Sequence, residues 1–510
     1  MRGKCLPSPL PRDELMVTVI YKGGGACDMG FLGQKWQHAK GTAGLSALHG
    51  QFINPQLPKV LKIIGFDRKY VKAKGLSLWD ETGREVRDFL GGYSVFNLGH
   101  NPEPLLETLR EVLSQSWPNL VQMDIPLFSG LLAQELIARD PSKKLQYAYF
   151  GNSGAEAVEC ALKFAKAATK RPRLISFDKG FHGVSMGALS LCGDASWREG
   201  FGPFLPGCLC LPYGDMKVLE KELKQQDVAA IIIEPIQGEG GVRELSQTQW
   251  DELQRLCEKY GTLLILDEIQ TGMGRTGKFF AFEHWNLRPD LVCLSKALSN
   301  GMVPVSATLG SAKVFEKVFN RLDRCVVHSS TFSENNLAMA AALSVVDQID
   351  KQDLLSRASS HGEYFLSRLR EKLAPFELVK EVRGRGLMIA VEFAAPQSRK
   401  LKLGWSLIQK ANKGLFGQMI TVPLLSQYGF LTQVAGHNLN VLKLSPPLIV
   451  TCEEIDAFVS ALTSVVEEAH RFPGGLWDVG LSMARSALGV GRKESLVLNS
   501  ESVLPQTTSI

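Results

Sequence analysis

Short apolar runs separated by longer amphipathic stretches dominate the middle of this chain. Each run has four or five residues, a usual length for a strand that is buried on both faces. The predicted strands are 147–150, 174–177, 229–233, 262–266 and 291–294. The helical patterns before and between them are 102–116, 155–168 and 250–259. This alternation predicts an α/β fold with a mostly parallel sheet, whose ligands bind beyond the carboxyl ends of the strands.

The pattern changes at about residue 346, and the chain beyond it predicts a smaller α+β domain. Its predicted elements are a long polar helix at 350–373, strands at 386–393 and 441–444, and a helix at 453–469. A hairpin-like pair of strands around Lys74-Gly75 predicts that the segment before the large domain joins the smaller one.

We therefore expect five segments along the chain. They are a poorly ordered extension at 1–48, an N-terminal part of the small domain at 49–100, a large ligand-binding domain at 101–345, a C-terminal part of the small domain at 346–470, and a loose tail at 471–510. Neither end of the chain shows a sustained hydrophobic period, which is why we expect little order there.

Composition narrows the possible partners. The chain has 510 residues, of which 45% are hydrophobic and 21% charged, with a net charge of +5, and it has no Lys/Arg run of the kind that binds nucleic acid. No apolar run reaches the length of a membrane span or of a secretory signal. The ten cysteines are scattered, and Cys208-Leu-Cys210 alone is a poor metal signature. We expect a cytoplasmic protein without nucleic-acid, membrane or metal partners.

Lys296 follows the apolar run 291–294, which is an unusual place for a solvated charge. A lone lysine here most often extends from a loop into water. The alternative is a partly desolvated amine at the edge of the sheet, which can be neutral near pH 7 and can form a Schiff base with an aldehyde. The segments that precede Lys296 decide between the two.

The segment Gly151-Asn-Ser-Gly-Ala-Glu-Ala157 follows one predicted strand and opens a helix. Backbone N–H groups at a helix start bind phosphate, and Ser153 adds a hydroxyl donor. The alternative is a simple helix cap formed by Asn152 or Ser153 together with Glu156. The residues of this segment alone favour the two interpretations equally.

Three further strand ends carry polar or aromatic side chains. Phe181 and His182 follow the second strand, where an aromatic ring can stack on a flat ligand or can belong to the core. Asp267 ends the most apolar strand and can meet a protonated ring nitrogen, or it can pair with Arg275. Glu239 lies in a glycine-rich segment that faces a ligand or forms a surface turn.

The motifs formed by these residues occur in a familiar order. They are Asn152-Ser-Gly-Ala-Glu156, Phe181-His-Gly183, Glu234-Pro-Ile-Gln-Gly-Glu-Gly-Gly241, Leu266-Asp-Glu-Ile-Gln-Thr-Gly-Met-Gly-Arg-Thr-Gly277 and Leu294-Ser-Lys-Ala-Leu298. From about 50 to 470 the chain resembles the class III pyridoxal-phosphate-dependent aminotransferases of fold type I. Residues 89–100 and 271–278 look most like the putrescine branch, beside the ornithine and acetylornithine enzymes. The resemblance implies a mostly parallel seven-stranded sheet in the large domain.

The resemblance also implies a role for each motif residue. Lys296 would carry pyridoxal 5′-phosphate as a Schiff base and move protons, and Asp267 would keep the ring nitrogen protonated. Phe181 would stack on the ring with Ile269 behind it, and Gln270 would meet the ring oxygen.

The phosphate end of the cofactor has its own implied residues. Ser153, Gly154 and Ala155 would bind the phosphate, and His182 would lie beside the cofactor. Thr331 would reach the phosphate of a partner subunit, which implies a homodimer with shared active sites.

Two departures from the family pattern bear on the substrate. Ser333-Glu334 replaces the usual pair of glycines, and Lys443 stands where the family often has arginine, without arginine's bidentate fork. We therefore expect an aliphatic terminal amine as donor, a diamine or an ω-amino acid, and a 2-oxo acid such as 2-oxoglutarate or pyruvate as acceptor. Tyr93 and Phe96 would form an apolar slot, Glu239 would meet a distal ammonium, and Lys443 the acceptor carboxylate.

Three alternatives stay open at this point. The first is another class III reaction, an amino shift or a decarboxylation, which needs no external amino acceptor. The second is an aminotransferase that acts on an aldehyde intermediate of a specialised biosynthetic pathway. The third is a binding protein that keeps the fold without turnover, but such a protein would be expected to have lost Lys296 or Asp267, and both are present.

Overall fold

A seven-stranded sheet forms the centre of the computed structural model, which describes residues 30–33, 35–36, 44–121, 123–411, 413–437, 439–478 and 480. The strands are β1 (Tyr70–Lys74), β2 (Ser77–Asp80), β3 (Glu85–Asp88), β4 (Tyr147–Gly151), β5 (Arg173–Phe177), β6 (Cys208–Leu211), β7 (Val228–Ile233), β8 (Ile236–Gln237), β9 (Arg243–Glu244), β10 (Leu263–Asp267), β11 (Leu291–Leu294), β12 (Ser306–Gly310), β13 (Val379–Arg385), β14 (Met388–Phe393), β15 (Phe430–Leu431), β16 (Gln433–Val434) and β17 (Val441–Leu444).

Helices of very different lengths accompany the strands. The α-helices are α1 (Leu45–Phe52), α2 (Leu57–Ile63), α3 (Gly91–Ser94), α4 (Glu103–Ser114), α5 (Ser129–Ala138), α6 (Gly154–Thr169), α7 (Met186–Leu189), α8 (Ala195–Arg198), α9 (Met216–Leu223), α10 (Gln247–Tyr260), α11 (Ala312–Val318), α12 (Asn336–Lys351), α13 (Leu354–Leu373), α14 (Arg399–Ala411), α15 (Leu415–Ser426) and α16 (Cys452–Ala469). Short 3₁₀ helices lie at Ala281–Trp285, Lys296–Ser299 and Leu322–Arg324. In the described part of the chain, no helix combines the length and apolarity needed to cross a bilayer.

The central sheet has the strand order β4-β12-β11-β10-β7-β5-β6. Only β12 runs antiparallel to its neighbours β11 and β4, and the other pairs are parallel. All six residues of β7 and all five of β10 are buried, as expected for strands covered on both faces. The predicted mostly parallel, seven-stranded α/β fold is confirmed.

The five predicted strands of this sheet agree with β4, β5, β7, β10 and β11 to within one residue at each end. The sequence did not indicate β6 or β12. β12 has the sequence Ser-Ala-Thr-Leu-Gly, whose small and polar residues give no apolar run although every one of them is buried. Strand β6 lies at the edge of the sheet and is only partly buried, so its pattern is weak.

Two smaller sheets are built from the two ends of the chain. The sheet β1-β2-β3-β15 pairs the predicted N-terminal hairpin with residues 430–431, and the sheet β13-β14-β17-β16 is antiparallel throughout. The shared sheet supports joining the N-terminal segment to the C-terminal one. The boundaries at 100, 345 and 470 stay a prediction.

Two elements of the smaller domain differ from the prediction. The single helix expected at 350–373 is divided between α12 and α13, because Asp353 adopts a left-handed conformation with φ 46°. The strand expected at 386–393 is present as β14, which begins at Met388, but its hairpin partner β13 was not indicated and joins it through a turn at Gly386 with φ 54°. In both places the chain changes direction, although its pattern of polar and apolar residues continues without a break.

The chain divides after Asp67 into two units. The described part of the first unit contains α1, which begins within the predicted extension, and α2. Most of the extension, 1–29 and 37–43, lies outside the described residues, as do 481–510 of the predicted tail. Trp477 belongs to that tail but is only 1% exposed, and its Nε1 donates to the carbonyl of Ala469 at 2.9 Å. Residues around it therefore pack on the domain, against the prediction.

Candidate active site

The carboxyl ends of the parallel strands open into a cavity of about 160 Å³. The connections after β4, β5, β7, β10 and β11 all contribute to its wall. The lining residues are Gly154, Ala155, Phe181, His182, Gly183, Glu234, Glu239, Asp267, Ile269, Gln270, Ser295 and Lys296. Nine of the fourteen predicted site residues line this wall, and a tenth, Ser153, directly precedes Gly154.

Lys296 begins the 3₁₀ helix that follows β11, with a left-handed φ of 41°. This backbone conformation directs the side chain toward the cavity, which it lines, rather than into bulk water. Burial lowers the pKa of the amine below its ordinary value, although the negative charge of Glu239 opposes this effect. No hydrogen bond or ion pair of the amine occurs among the described residues, so the amine is available for chemistry.

Asp267 and His182 form a buried pair at the end of β10. His182 Nδ1 lies 2.8 Å from Asp267 Oδ2, and Asp267 Oδ1 accepts from the N–H of Ile269 at 3.2 Å. Burial opposes a charge on His182, but the hydrogen bond to Asp267 and its negative charge raise the pKa of His182 overall. The predicted alternative partner, Arg275, instead donates to Leu387, Pro446 and Asn97, so the ion-pair interpretation is wrong.

Glu234, at the end of β7, has a place in the site that the sequence analysis did not assign. Its two carboxylate oxygens accept from the backbone N–H groups of Phe181 and Gly238, each at 3.0 Å. Burial raises the pKa of Glu234 to about 7. An acidic residue directly after a fully apolar strand was the available signal, because such a group requires partners when it is buried.

The N-terminus of α6 forms one end of the cavity. Ser153 caps this helix, and its Oγ accepts from the N–H of Glu156 at 3.2 Å. The cap does not exclude an anion site, because the first N–H groups of a helix have no acceptor within the helix. A Cβ atom on Gly154 would come within 3.0 Å of Ile269, so glycine allows the two segments to approach closely.

Phe181 and Gln270 also line the cavity, and one of the two has a polar atom without a partner. The ring of Phe181 lies 5.0 Å from that of Trp197, in a tilted arrangement. The side-chain nitrogen of Gln270 donates to the carbonyl of Tyr93 at 3.3 Å, whereas Gln270 Oε1 is buried and has no partner among the described residues. A buried acceptor without a donor indicates that a ligand completes the site.

Glu239 and Lys443 form an ion pair at the outer side of the cavity. Lys443 is almost fully buried, and its amine also lies 4.9 Å from the ring centre of Tyr93. Burial alone would raise the pKa of Glu239, but the charge of Lys443 lowers it to about 2. Gly436 donates a further hydrogen bond to Glu239 at 3.1 Å. The carboxylate of Glu239 and the amine of Lys443 were both predicted to bind substrate. In the structure each neutralises the charge of the other.

Four other predicted residues, Tyr93, Phe96, Thr331 and Lys443, do not line the cavity wall. The ring of Phe96 packs against His100, with 4.0 Å between the ring centres, and the slot expected of Tyr93 and Phe96 stays a prediction. Thr331 lies in an exposed loop before α12. Glu334 in the same loop has a left-handed φ of 57°, the conformation that favours the glycine found in the family pattern. Among the described residues, no cluster of three or more His, Cys, Asp or Glu side chains is arranged to hold a metal.

Comparison with known families gives one match over most of the chain. The family model "Aminotransferase class-III" matches residues 65–466. Aminotransferase PigE from a Serratia species is 34% identical over 453 residues, which are 83% of this chain and 53% of PigE, so the chain spans about half the length of that relative. A putrescine aminotransferase from Pectobacterium atrosepticum is 38% identical over 404 residues, 77% of this chain and 81% of the relative.

Solved structures give the same picture. The ornithine aminotransferase of Toxoplasma gondii matches with a TM-score of 0.70 and 30% identity, covering 79% of this chain and 92% of that one. An amine transaminase from an uncultivated Pseudomonas species, solved in its PLP-bound form, matches with a TM-score of 0.69 and 28% identity, covering 78% and 94%. The similarity therefore extends over more than three quarters of the chain.

Proposed function

This chain belongs to the class III aminotransferases, which depend on pyridoxal 5′-phosphate, and we propose that it moves an amino group from an aliphatic terminal amine to a 2-oxo acid. The donor in this proposal is a diamine or an ω-amino acid, and the acceptor is 2-oxoglutarate or pyruvate. One observation carries the proposal: the unpaired amine of Lys296 and the buried Asp267–His182 pair line the same cavity.

The cavity residues fit the cofactor. The helix start at Ser153, Gly154 and Ala155 offers N–H donors for its phosphate. The unpartnered oxygen of Gln270 is a polar group that the ligand can satisfy, and the carboxylate of Asp267 retains lone pairs beyond its two bonds. When bound, the cofactor supplies an electron sink for the negative charge that develops at the reacting carbon.

Lys296 would hold the cofactor through Nζ, and the same amine would take up and return the proton of the donor carbon. Its lowered pKa favours this work, because a base is most effective when it is neutral near the working pH. Burial of the side chain and, to a smaller extent, the positive charge of Lys443 support the neutral form.

Asp267 would keep the ring nitrogen protonated, and His182 would hold the carboxylate in place by its 2.8 Å contact. Phe181 would cover one face of the ring, and Ile269, fixed against Gly154, would cover the other. Gln270 would meet the ring oxygen. Asp267, His182 and Gln270 are buried, and the contacts of Asp267 and His182 already orient them, so little reorganisation is needed during the reaction.

The preference for a terminal amine rests on the outer side of the cavity, where Glu239 and Lys443 form their ion pair. Lys443 is held by Glu239 and provides a weaker carboxylate clamp than an arginine, which disfavours donors that must be held by a carboxylate. Each buried methylene of an aliphatic donor contributes about 0.8 kcal/mol. The similarity to a putrescine aminotransferase supports the same choice.

We also propose a cytoplasmic homodimer with shared active sites, in which Thr331 reaches the partner's phosphate. Several large apolar side chains of the unit that contains Thr331 are exposed, which favours an interface with a partner subunit. They are Met123 at 90%, Ile125 at 87%, Leu322 at 94% and Phe332 at 60%. Mixing Lys296→Ala with Thr331→Val chains should restore activity through hybrid dimers, whereas mixtures that exchange subunits without recovery contradict shared sites.

A panel of amines tests the reaction. With 2-oxoglutarate or pyruvate as acceptor, kcat/KM should rise from alanine to 4-aminobutyrate, ornithine, putrescine and cadaverine. A clear preference for alanine, or no rise with chain length, contradicts the terminal-amine proposal. Turnover without any added 2-oxo acid would instead indicate an aminomutase or a decarboxylase.

A further inference from the structure

A second cavity, of about 440 Å³, adjoins the first on its outer side. Phe181 and Glu239 line both cavities, so the second is the continuation of the first toward the surface. The other residues of its wall belong to the segments 178–180, 193–195 and 436–437, together with Trp197 and Leu439. A donor whose amino group reaches Lys296 has its remaining atoms on this side.

The carboxylates of the outer cavity differ in their partners. Glu239 is neutralised by Lys443, and Asp178 accepts from Arg243 at 3.3 Å and from the N–H of Tyr213 at 2.6 Å. Neither is therefore an open site for a further cation.

Asp194 is the carboxylate of this wall that has no lysine or arginine partner among the described residues. Its Oδ1 accepts from the N–H and the hydroxyl of Ser196, at 2.9 and 2.6 Å. Its Oδ2 has no hydrogen bond within the described part of the chain, and the nearest basic nitrogen, Nδ1 of His437, is 3.8 Å away. The side chain of Asp194 is 31% exposed, so it is partly shielded from solvent.

Trp197 lies beside Asp194 in the same segment. Its ring centre is 5.0 Å from that of Phe181 and 4.5 Å from that of His437, so it connects the two cavities. An indole face attracts a cation and also packs on methylene groups. Lys179 is a cationic side chain on this wall, but it is exposed, so water and salt screen its charge.

We propose that Asp194 and Trp197 bind the distal ammonium of a diamine donor. The proposal rests on the terminal-amine function and narrows it, because Asp194 repels the distal carboxylate of an ω-amino acid. Asp194 would thus bind the ammonium that Glu239 was expected to bind, because no lysine or arginine among the described residues neutralises Asp194.

The test compares two amines of equal length, 1,5-diaminopentane and pentylamine, with 2-oxoglutarate as acceptor. Asp194→Asn should lower the ratio of their kcat/KM values by about tenfold or more, the usual effect of losing a charge-assisted hydrogen bond. Asparagine caps a helix as well as aspartate does, so the helix that Asp194 begins is retained. Trp197→Leu should lower the same ratio by about two- to fivefold.

Asp215→Asn is the matched control, because Asp215 caps α9 in the same way but does not line either cavity. Calorimetric titration with the two amines should show the same loss for 1,5-diaminopentane alone. An unchanged ratio in Asp194→Asn, or an equal fall in Asp215→Asn, overturns the role of Asp194 and leaves the reaction intact. If the unaltered enzyme converts neither amine, the proposed function itself fails, and the role of Asp194 fails with it.

Discussion

The inner and outer walls of the catalytic cavity are built in different ways. The inner wall consists of residues that directly follow neighbouring strands of one sheet, such as Glu234 after β7, Asp267 in β10 and Lys296 after β11. The outer wall combines segments far apart in sequence: Lys443 contacts Glu239 across 204 positions, and Gln270 contacts Tyr93 across 177. The inner wall is fixed by sheet topology, whereas the outer wall depends on contacts between segments that are distant in sequence.

The two walls also treat charge differently. In the inner wall, Asp267 meets a histidine and Glu234 meets only backbone N–H groups, so these carboxyls have environments that a cofactor can complete. In the outer wall, Glu239 and Lys443 form a full ion pair. Changes to the inner wall should therefore abolish chemistry, and changes to the outer wall should affect substrate choice and stability.

The largest effect is expected from Lys296→Ala. Removal of the amine that would hold the cofactor and move the proton should reduce turnover by about 10⁴-fold or more. Borohydride treatment of the unaltered, cofactor-loaded protein should label Lys296, as peptide mass spectrometry would detect. Lys351→Ala, an exposed lysine on α12, is the control that should keep full activity. A label on another lysine would contradict the assignment.

Asp267→Asn should have the next largest effect. A neutral amide cannot keep the ring nitrogen protonated, so single-turnover rates should fall by about 10³-fold while the thermal unfolding temperature changes little. The loss of the Asp267 charge should also lower the pKa of His182, which a histidine NMR titration can follow. If proton abstraction is almost as fast as before, Asp267 is only structural.

This contrast explains which parts of the site were predictable from sequence. Continuous apolar runs located β10 and β11 to within one residue, and topology then brings their carboxyl ends to the same edge. The candidates Asp267 and Lys296 follow from that rule alone. Strand β12 was not predictable, because its buried residues are small or polar and its burial comes from neighbours in space.

The outer wall was predictable only as a set of candidate residues. No local pattern indicates that Lys443 pairs with Glu239 or that Trp197 lies against Phe181. Phe96 shows the same difficulty: it was expected to contribute to an apolar slot, and nothing local in the sequence indicated that its ring packs against His100. Contacts between distant segments depend on packing that a single sequence does not reveal.

Lys443→Met should separate stability from chemistry in the outer wall. Removing one partner of a buried pair leaves Glu239 without its cation, which should cost about 3 kcal/mol or more of unfolding free energy at pH 7. Because Lys443 lowers the pKa of Glu239 to about 2, this contribution is present above about pH 4.5 and is lost as the pH falls toward 2.

Urea unfolding at pH 7 and at pH 3 measures this difference. The double variant Glu239→Gln with Lys443→Met should recover much of the loss, because no unpaired charge remains. Lys380→Met is a control: Lys380 pairs with Glu392 at the exposed side of the adjoining hairpin, and its loss should cost at most about 1 kcal/mol. Equal losses in both single variants would mean that burial of the pair is unimportant.

The smallest effect should come from Glu268, which follows Asp267 but points away from the chemistry. Its carboxylate accepts from the hydroxyl of Thr271 and from the N–H of Phe282, and burial raises its pKa to about 7. A carboxyl whose pKa is raised on folding contributes stability below its ordinary pKa of 4.5, and this contribution is lost as the pH rises to about 7.

The variant Glu268→Gln stays neutral and keeps both partners. Its free energy of unfolding should therefore exceed that of the unaltered protein by about 1 to 3 kcal/mol between pH 5 and pH 8. Glu234, whose pKa is also raised to about 7, contributes equally to both proteins, so the difference reports Glu268 alone. The control is Glu107→Gln, at an exposed position of α4, which should change the free energy of unfolding by at most about 0.5 kcal/mol. Parallel stability curves for Glu268→Gln and the unaltered protein would show that Glu268 is ionised throughout, and the inner wall would then hold more buried charge than its hydrogen bonds account for.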